Sequence, residues 1–230
     1  MGGYAYKEWS VGVKYATGKA EIRPLSHKSQ VHMGLSKDSC EIMPNHHYLI
    51  ALGGNLPSDQ GTPAHTLAAA LSDLEAAGVT LLAVSRFFDT PCFPAGAGPD
   101  YVNAAARLAS DLDPSQMLAL LHRIEARHGR KRTQRWGMRT LDLDLLAAGD
   151  LVRPDAATQA LWRSLPPDRQ VEAVPDRLIL PHPRLQDRAF VLIPLADIAP
   201  DWVHPLTGQS VAQMCAALPA AARAEVRPQE

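Results

Sequence analysis

Residues 135–146 read RWGMRTLDLDLL, a turn carrying two arginines and a tryptophan that runs into an alternating segment. Successive side chains of a strand point to opposite faces, so Leu141, Leu143 and Leu145 share a buried face while Asp142 and Asp144 project together from the other. Two carboxylates roughly 6 Å apart repel by about 3 kcal/mol at an effective dielectric of about 20, so the pair must be solvated, matched to arginine or bridged by a metal. A polar strand face turned to water is the simpler account of an isolated Asp-x-Asp. Here Arg130, Lys131, Arg132, Arg135 and Arg139 precede the pair. Guanidinium forks suit phosphate oxygens and hard carboxylate oxygens suit Mg²⁺, so the mixture fits a metal–nucleotide complex better than a plain anion site.

Working outward, Asp113, Pro114 and Gln116 read as a capped helix start, Met117, Leu118, Leu121 and Ile124 as its apolar face, and Gly129 as its exit. Before it, Tyr101–Ala109 alternates as a strand with Tyr101 and Asn103 on one face, and Val79–Phe88 reads as another. Thr62 and Pro63 open an earlier helix with Leu67, Leu71 and Leu74 at helical spacing, stopped by Gly78. Tyr48–Leu52 is a short apolar strand running into Gly53, Gly54 and Asn55, a turn where backbone can approach a ligand closely. The order β-α-β-β-α-β predicts an α+β, ferredoxin-like sandwich, with two helices on one face of an antiparallel sheet and the other face left for function. A helix over Ser210–Leu218 is expected as a C-terminal addition.

One domain over residues 46–220 accounts for this pattern. Residues 153–176, rich in proline and charge, read as a surface insertion with a helical turn around Leu161 and Trp162, and 221–230 as a tail. Five of the six lysines, Lys7, Lys14, Lys19, Lys28 and Lys37, precede Tyr48. That shift marks residues 1–45 as an extension outside the fold, with Met43 a sensible alternative start.

A formal net charge of −1 over 230 residues argues against a bulk nucleic-acid binder. Cys40, Cys92 and Cys215 are isolated, which fits a reducing compartment, and no apolar run approaches bilayer length. The expectation is a cytoplasmic monomer with no membrane or nucleic-acid partner.

Downstream, Leu180–Leu195 reads LPHPRLQDRAFVLIPL and presents His182 rigidly between two prolines, with Arg184, Arg188 and Phe190 following. A lone histidine is more often structural; flanking arginines favour a ligand contact here. Taken in order, GGN, TPCF, PDYVNAA, RIEARHGR, RWGMRTLDLDLL, LPHPRLQDRAFVL and LADIAP resemble the 6-hydroxymethyl-7,8-dihydropterin pyrophosphokinase family of folate biosynthesis over about Tyr48–Leu218. The insertion is unmatched.

The resemblance implies transfer of the pyrophosphoryl group of ATP to the hydroxymethyl of 6-hydroxymethyl-7,8-dihydropterin, releasing AMP. It implies two Mg²⁺ ions held with ATP by Asp142 and Asp144, with Asp142 near the attacking hydroxyl. Arg130 and Arg139 resemble arginines of a mobile loop that closes over ATP, His182 and Arg188 match phosphate contacts, and Glu125 and Arg177 match positions near the nucleotide. Tyr101 and Phe190 match a pterin-stacking pair, Asn103 the amide that reads the pterin edge, Thr90 a backbone contact and Trp136 a residue that seals the pocket. Met138 departs from the proline usual there, and His122 stands where relatives carry glutamine near the adenine. No general base is evident. An RNA-binding or regulatory module on the same fold, or another metal-dependent nucleotidyltransferase, are the competing functions; the acidic pair argues against the first.

Overall fold

The apolar run Tyr48–Leu52, between two histidines and two glycines, forms the middle of strand β1 (His46–Gly54). Tyr48, Ile50 and Leu52 enter one core and Leu49 and Ala51 a second on the opposite face, as strand alternation requires. The computed structural model describes residues 46–92, 98–129, 139–166, 169 and 175–230. Residues 1–45, Arg130 and Trp136, with the expectations attached to them, lie outside these.

β1 pairs antiparallel with β4 (Tyr101–Ser110) on one side and β5 (Asp142–Ala148) on the other. Both β2 (Thr80–Val84) and β3 (Phe88–Thr90) pair with β4, and β6 (Arg227–Pro228) adds to β3, all antiparallel. Among the described residues the order is β5-β1-β4-β3-β6, with β2 beside β4. On the Tyr48 face lie α1 (Pro63–Ala76), capped by Thr62, and α2 (Pro114–Arg127), opened by a reciprocal capping box of Asp113 and Gln116. Asp73 of α1 ties the pair together, accepting from Arg127 at 2.7 Å and meeting His128 at 2.9 Å. Leu121 sits fully buried between α2 and the sheet. Leu121→Ala should therefore cost about 3 kcal/mol. Urea unfolding would register it as a lower midpoint at unchanged slope.

Three elements differ from the sequence reading. The strand expected over Val79–Phe88 is broken after Val84: Ser85 bonds both ways with Ala105, through its amide and its hydroxyl, and Arg86 swings outward to grip Asp197 with two nitrogens. The chain resumes pairing at Phe88, which brings Thr90 level with Tyr101. The apolar segment after Arg188 is a helix, α4 (Ala189–Ile198), preceded by a 3₁₀ turn over Leu185–Asp187. With α5 (Val211–Ala217), the helix expected there and capped by Ser210, α4 covers much of the second sheet face through Val191, Leu192, Leu195 and Met214. The end of that face around Asn103, Asp142 and Asp144 is left open. Finally, the residues expected as a tail add a short helix, α6 (Ala220–Ala224), and strand β6.

Of the expected insertion, 156–164 form α3 (Ala156–Ser164), two turns capped by Asp155, whose Gln159 is fully buried. No helix among the described residues is long and apolar enough to cross a membrane.

Candidate active site

The open end of the second face is built by register. Gly53 lies between Asn103 of β4 and Asp142 of β5, and Ala51 lies between Ala105 and Asp144. Small residues on the middle strand leave a floor with an amide on one side and two carboxylates on the other. A Cβ on Gly53 would come within 3.0 Å of Asn103 Oδ1, so glycine is what keeps that amide in place. Asn103 is buried and its Nδ2 donates to Thr90 Oγ1 at 2.7 Å, which fixes the amide plane. Tyr101 stands at the edge of this floor; burial raises its phenol pKa, opposed by Arg139, with Cys92 and Asp142 adding smaller upward pulls.

Both aspartates are matched by guanidinium. Arg139 bonds Asp142 directly, and Arg188 lies 3.7 Å from Asp144. The two carboxylates are each about a quarter to a third exposed, so their oxygens remain reachable. Burial lowers the Arg188 pKa and Asp144 offsets this, while the same guanidinium rests 5.7 Å from the centre of the half-exposed Phe190 ring. Arg139 is held in turn by Asn55, a buried residue whose Oδ1 accepts from the Arg139 amide at 2.8 Å and whose amide donates to the Arg139 carbonyl at 2.9 Å. Asn55 Nδ2 also reaches Pro99 O at 3.1 Å. Sequence reasoning marked Asn55 only as part of a turn. Its partners are 84 and 44 residues away, and only the GGN punctuation hinted at a special position.

His182 joins this group from the other side. Its amide donates to Leu146 O of β5 at 2.8 Å, and its Nδ1 accepts from the Arg184 amide at 3.1 Å. Burial, reinforced by Arg188 and opposed by Asp142, pushes the imidazole pKa down to about 3. The ring is therefore neutral, with its proton on Nε2, a donor suited to an anionic oxygen. Against an ordinary value of 6.5, the unfolded chain takes up this proton first as the solution is acidified. The stabilisation is complete above pH 6.5 and is lost as the solution is acidified toward pH 3. His182→Gln should flatten that stretch of the melting-temperature curve; curves of equal slope would refute a neutral ring.

Two residues expected near the nucleotide lie off this floor. Glu125 is buried on α2, behind β5, where its Oε1 accepts from the Leu143 amide at 2.8 Å. Arg177 is exposed; its contacts are with Asp176 at 3.1 Å and the charge of Asp155, not with the aspartates of β5. The rest, Thr90, Tyr101, Asn103, Arg139, Asp142, Asp144, His182, Arg188 and Phe190, fall on or beside the open floor.

A sheet end carrying paired carboxylates, arginines and a neutral imidazole beside a buried amide pocket belongs to the phosphoryl-transfer class of sites, where positioning and charge compensation do the work. Residues 49–200 match the family model of 7,8-dihydro-6-hydroxymethylpterin-pyrophosphokinase (HPPK). The chain belongs to that family. It is 39% identical over 172 residues to the 2-amino-4-hydroxy-6-hydroxymethyldihydropteridine pyrophosphokinase of Pseudomonas aeruginosa, covering 74% of this chain and 90% of that one. The Synechocystis protein of the same name is 37% identical over 170 residues, 74% of each chain. The solved Plasmodium falciparum HPPK-DHPS wild type shares the fold at a TM-score of 0.53 and 13% identity, over 77% of this chain and 42% of that much longer one.

Proposed function

We propose that the protein is an ATP-dependent pyrophosphokinase acting on 6-hydroxymethyl-7,8-dihydropterin in folate biosynthesis, on a ferredoxin-like β-α-β-β-α-β framework. The hydroxymethyl oxygen bonds to the β-phosphorus of ATP, the bond from that phosphorus to the oxygen bridging the α-phosphorus breaks, AMP leaves, and the hydroxyl proton is released. The observation that carries this is the register that sets Asn103 and Asp142 on either side of Gly53. It puts a group able to read a flat heterocycle's edge next to a group able to handle phosphate.

In this reading Asn103 and the Thr90 backbone bind the pterin edge, and Tyr101 and Phe190 take its faces. His182 Nε2, Arg188 and Arg139 orient the triphosphate. The residues fit a hard divalent cation: two reachable carboxylates leave the remaining ligand positions to phosphate oxygens and water, as Mg²⁺ prefers. Asp142 and Asp144 would hold it, two ions with ATP, and when bound it would neutralise charge building on the phosphate oxygens. Arg139 and Arg188 supply countercharge to the same carboxylates.

Incubation with ATP, Mg²⁺ and the reduced hydroxymethylpterin should release AMP, and omission of any one should stop it. Pyrophosphate in place of AMP would mark a nucleotidyltransferase instead, and tight RNA binding without Mg²⁺ a binding module.

A further inference from the structure

The peptide unit joining Pro181 to His182 is pinned at both ends. Its N–H donates to Leu146 O of β5 at 2.8 Å, and its carbonyl accepts from Gln159 Nε2 at 3.2 Å. Gln159 comes from α3, inside the stretch that lies between the family's sequence motifs. It is fully buried, whereas the rest of the two-turn helix exposes much of its surface. The stretch closes on itself where Arg153 and Leu180 exchange backbone bonds at 2.9 and 3.1 Å, next to the pinned peptide. A planar peptide held by one hydrogen bond can swing about it; held at N–H and C=O it has a fixed plane. The side chain that leaves this plane is the His182 imidazole.

We propose that Gln159 is a positioning residue for ATP: α3 is a strut that fixes the plane of the Pro181–His182 peptide and so aims the His182 imidazole at the triphosphate. The proposal rests on the reading of His182 as a phosphate contact. It departs from a purely structural role in a measurable way. Gln159 Oε1 has no hydrogen-bond partner among the described residues. Replacing the amide by an apolar side chain of similar shape removes that unsatisfied acceptor while orphaning the Pro181 carbonyl, so the two effects on stability oppose each other. Orientation is what is lost.

The test compares the full-length parent, Gln159→Met, Asp155→Ala and His182→Ala by calorimetric titration with AMPCPP, the ATP analogue whose α–β bridge is a methylene and cannot be cleaved, plus Mg²⁺, by titration with the pterin, and by thermal melting. Gln159→Met should bind the analogue about three- to tenfold more weakly, with pterin affinity and melting temperature little changed. Asp155 is exposed and caps α3 through the Thr158 amide at 2.8 Å. Its alanine variant should weaken the same affinity to a smaller degree, which keeps the test open if Gln159→Met does not fold. Unchanged analogue affinity in both variants, or a parallel fall in analogue affinity, pterin affinity and melting temperature, would overturn the proposal. Should His182→Ala itself bind the analogue as the parent does, the phosphate-contact reading fails and the proposal falls with it, a result distinct from the first.

Discussion

Asp144→Ala should lower AMP formation by about 10³-fold while the protein melts where the parent does. The carboxylate is 35% exposed and projects from the floor rather than into either core, so its removal opens no cavity. Its partner Arg188 lies 3.7 Å away, a loose pair in a partly wet setting, and such pairs are worth about 0–1 kcal/mol. What disappears is half of the hard-oxygen pair that offsets phosphate charge as the new bond forms. Arg188, no longer matched, adds positive charge at the site but cannot supply ligands to a cation. Steady-state AMP release and a thermal melt on one preparation decide the matter: activity within tenfold of the parent would remove the metal-holding role from Asp144.

A second substitution should be nearly as severe for a steric reason. A Cβ on Gly54 would stand 2.6 Å from the Thr140 carbonyl oxygen and 3.4 Å from its carbon, with Arg139 O at 3.6 Å. These are backbone atoms, not the ends of flexible side chains, so the segment entering β5 must move. Arg139 and Asp142 would move with it, and the Asn55 bonds that hold Arg139 would stretch. Gly54→Ala should cost about 1–3 kcal/mol of stability. A misplacement on the order of 1 Å is enough to reduce turnover about 10²-fold. Denaturant unfolding and turnover number together test this; a variant with parental values of both would show that the close approach is not needed.

The parts of this architecture that could be read from sequence are those written in local chemistry. Asp142 and Asp144 declared a shared face through strand alternation, and Thr62–Pro63 and Asp113–Pro114–Gln116 declared helix starts through side chains that bond backbone within one turn. What could not be read depends on distant partners. Nothing local in TLLAVSRFFDT announces that Ser85 will take over a ladder position from a strand twenty residues on. The segment AFVLIPLADI is apolar on every side and carries Pro194, so it lacks the periodicity that identifies an amphipathic helix, and it is buried on both sheet and helix sides. Asn55 and Gln159 are polar residues in turn-like or charged surroundings, and only the assembled fold shows what each one holds. Glu125, which the resemblance sets near the nucleotide, also holds the Leu143 amide from α2, a contact that no local pattern announced.

That Glu125 contact reaches beyond the site. β5 is the outer strand of the described sheet, and its Leu143 amide, facing outward, is occupied by the Glu125 carboxylate. At the opposite border β6 is two residues long and ends in Pro228, which has no N–H to offer. Exposed strand borders are templates on which foreign chains polymerise, and here the β5 border is plugged by a side chain and the β6 border is short and blunt, while β2, off the main path, pairs with β4 alone. A concentrated solution of the protein should resist fibril growth from the β5 and β6 borders, and Glu125→Ala should be the change that unlocks the first.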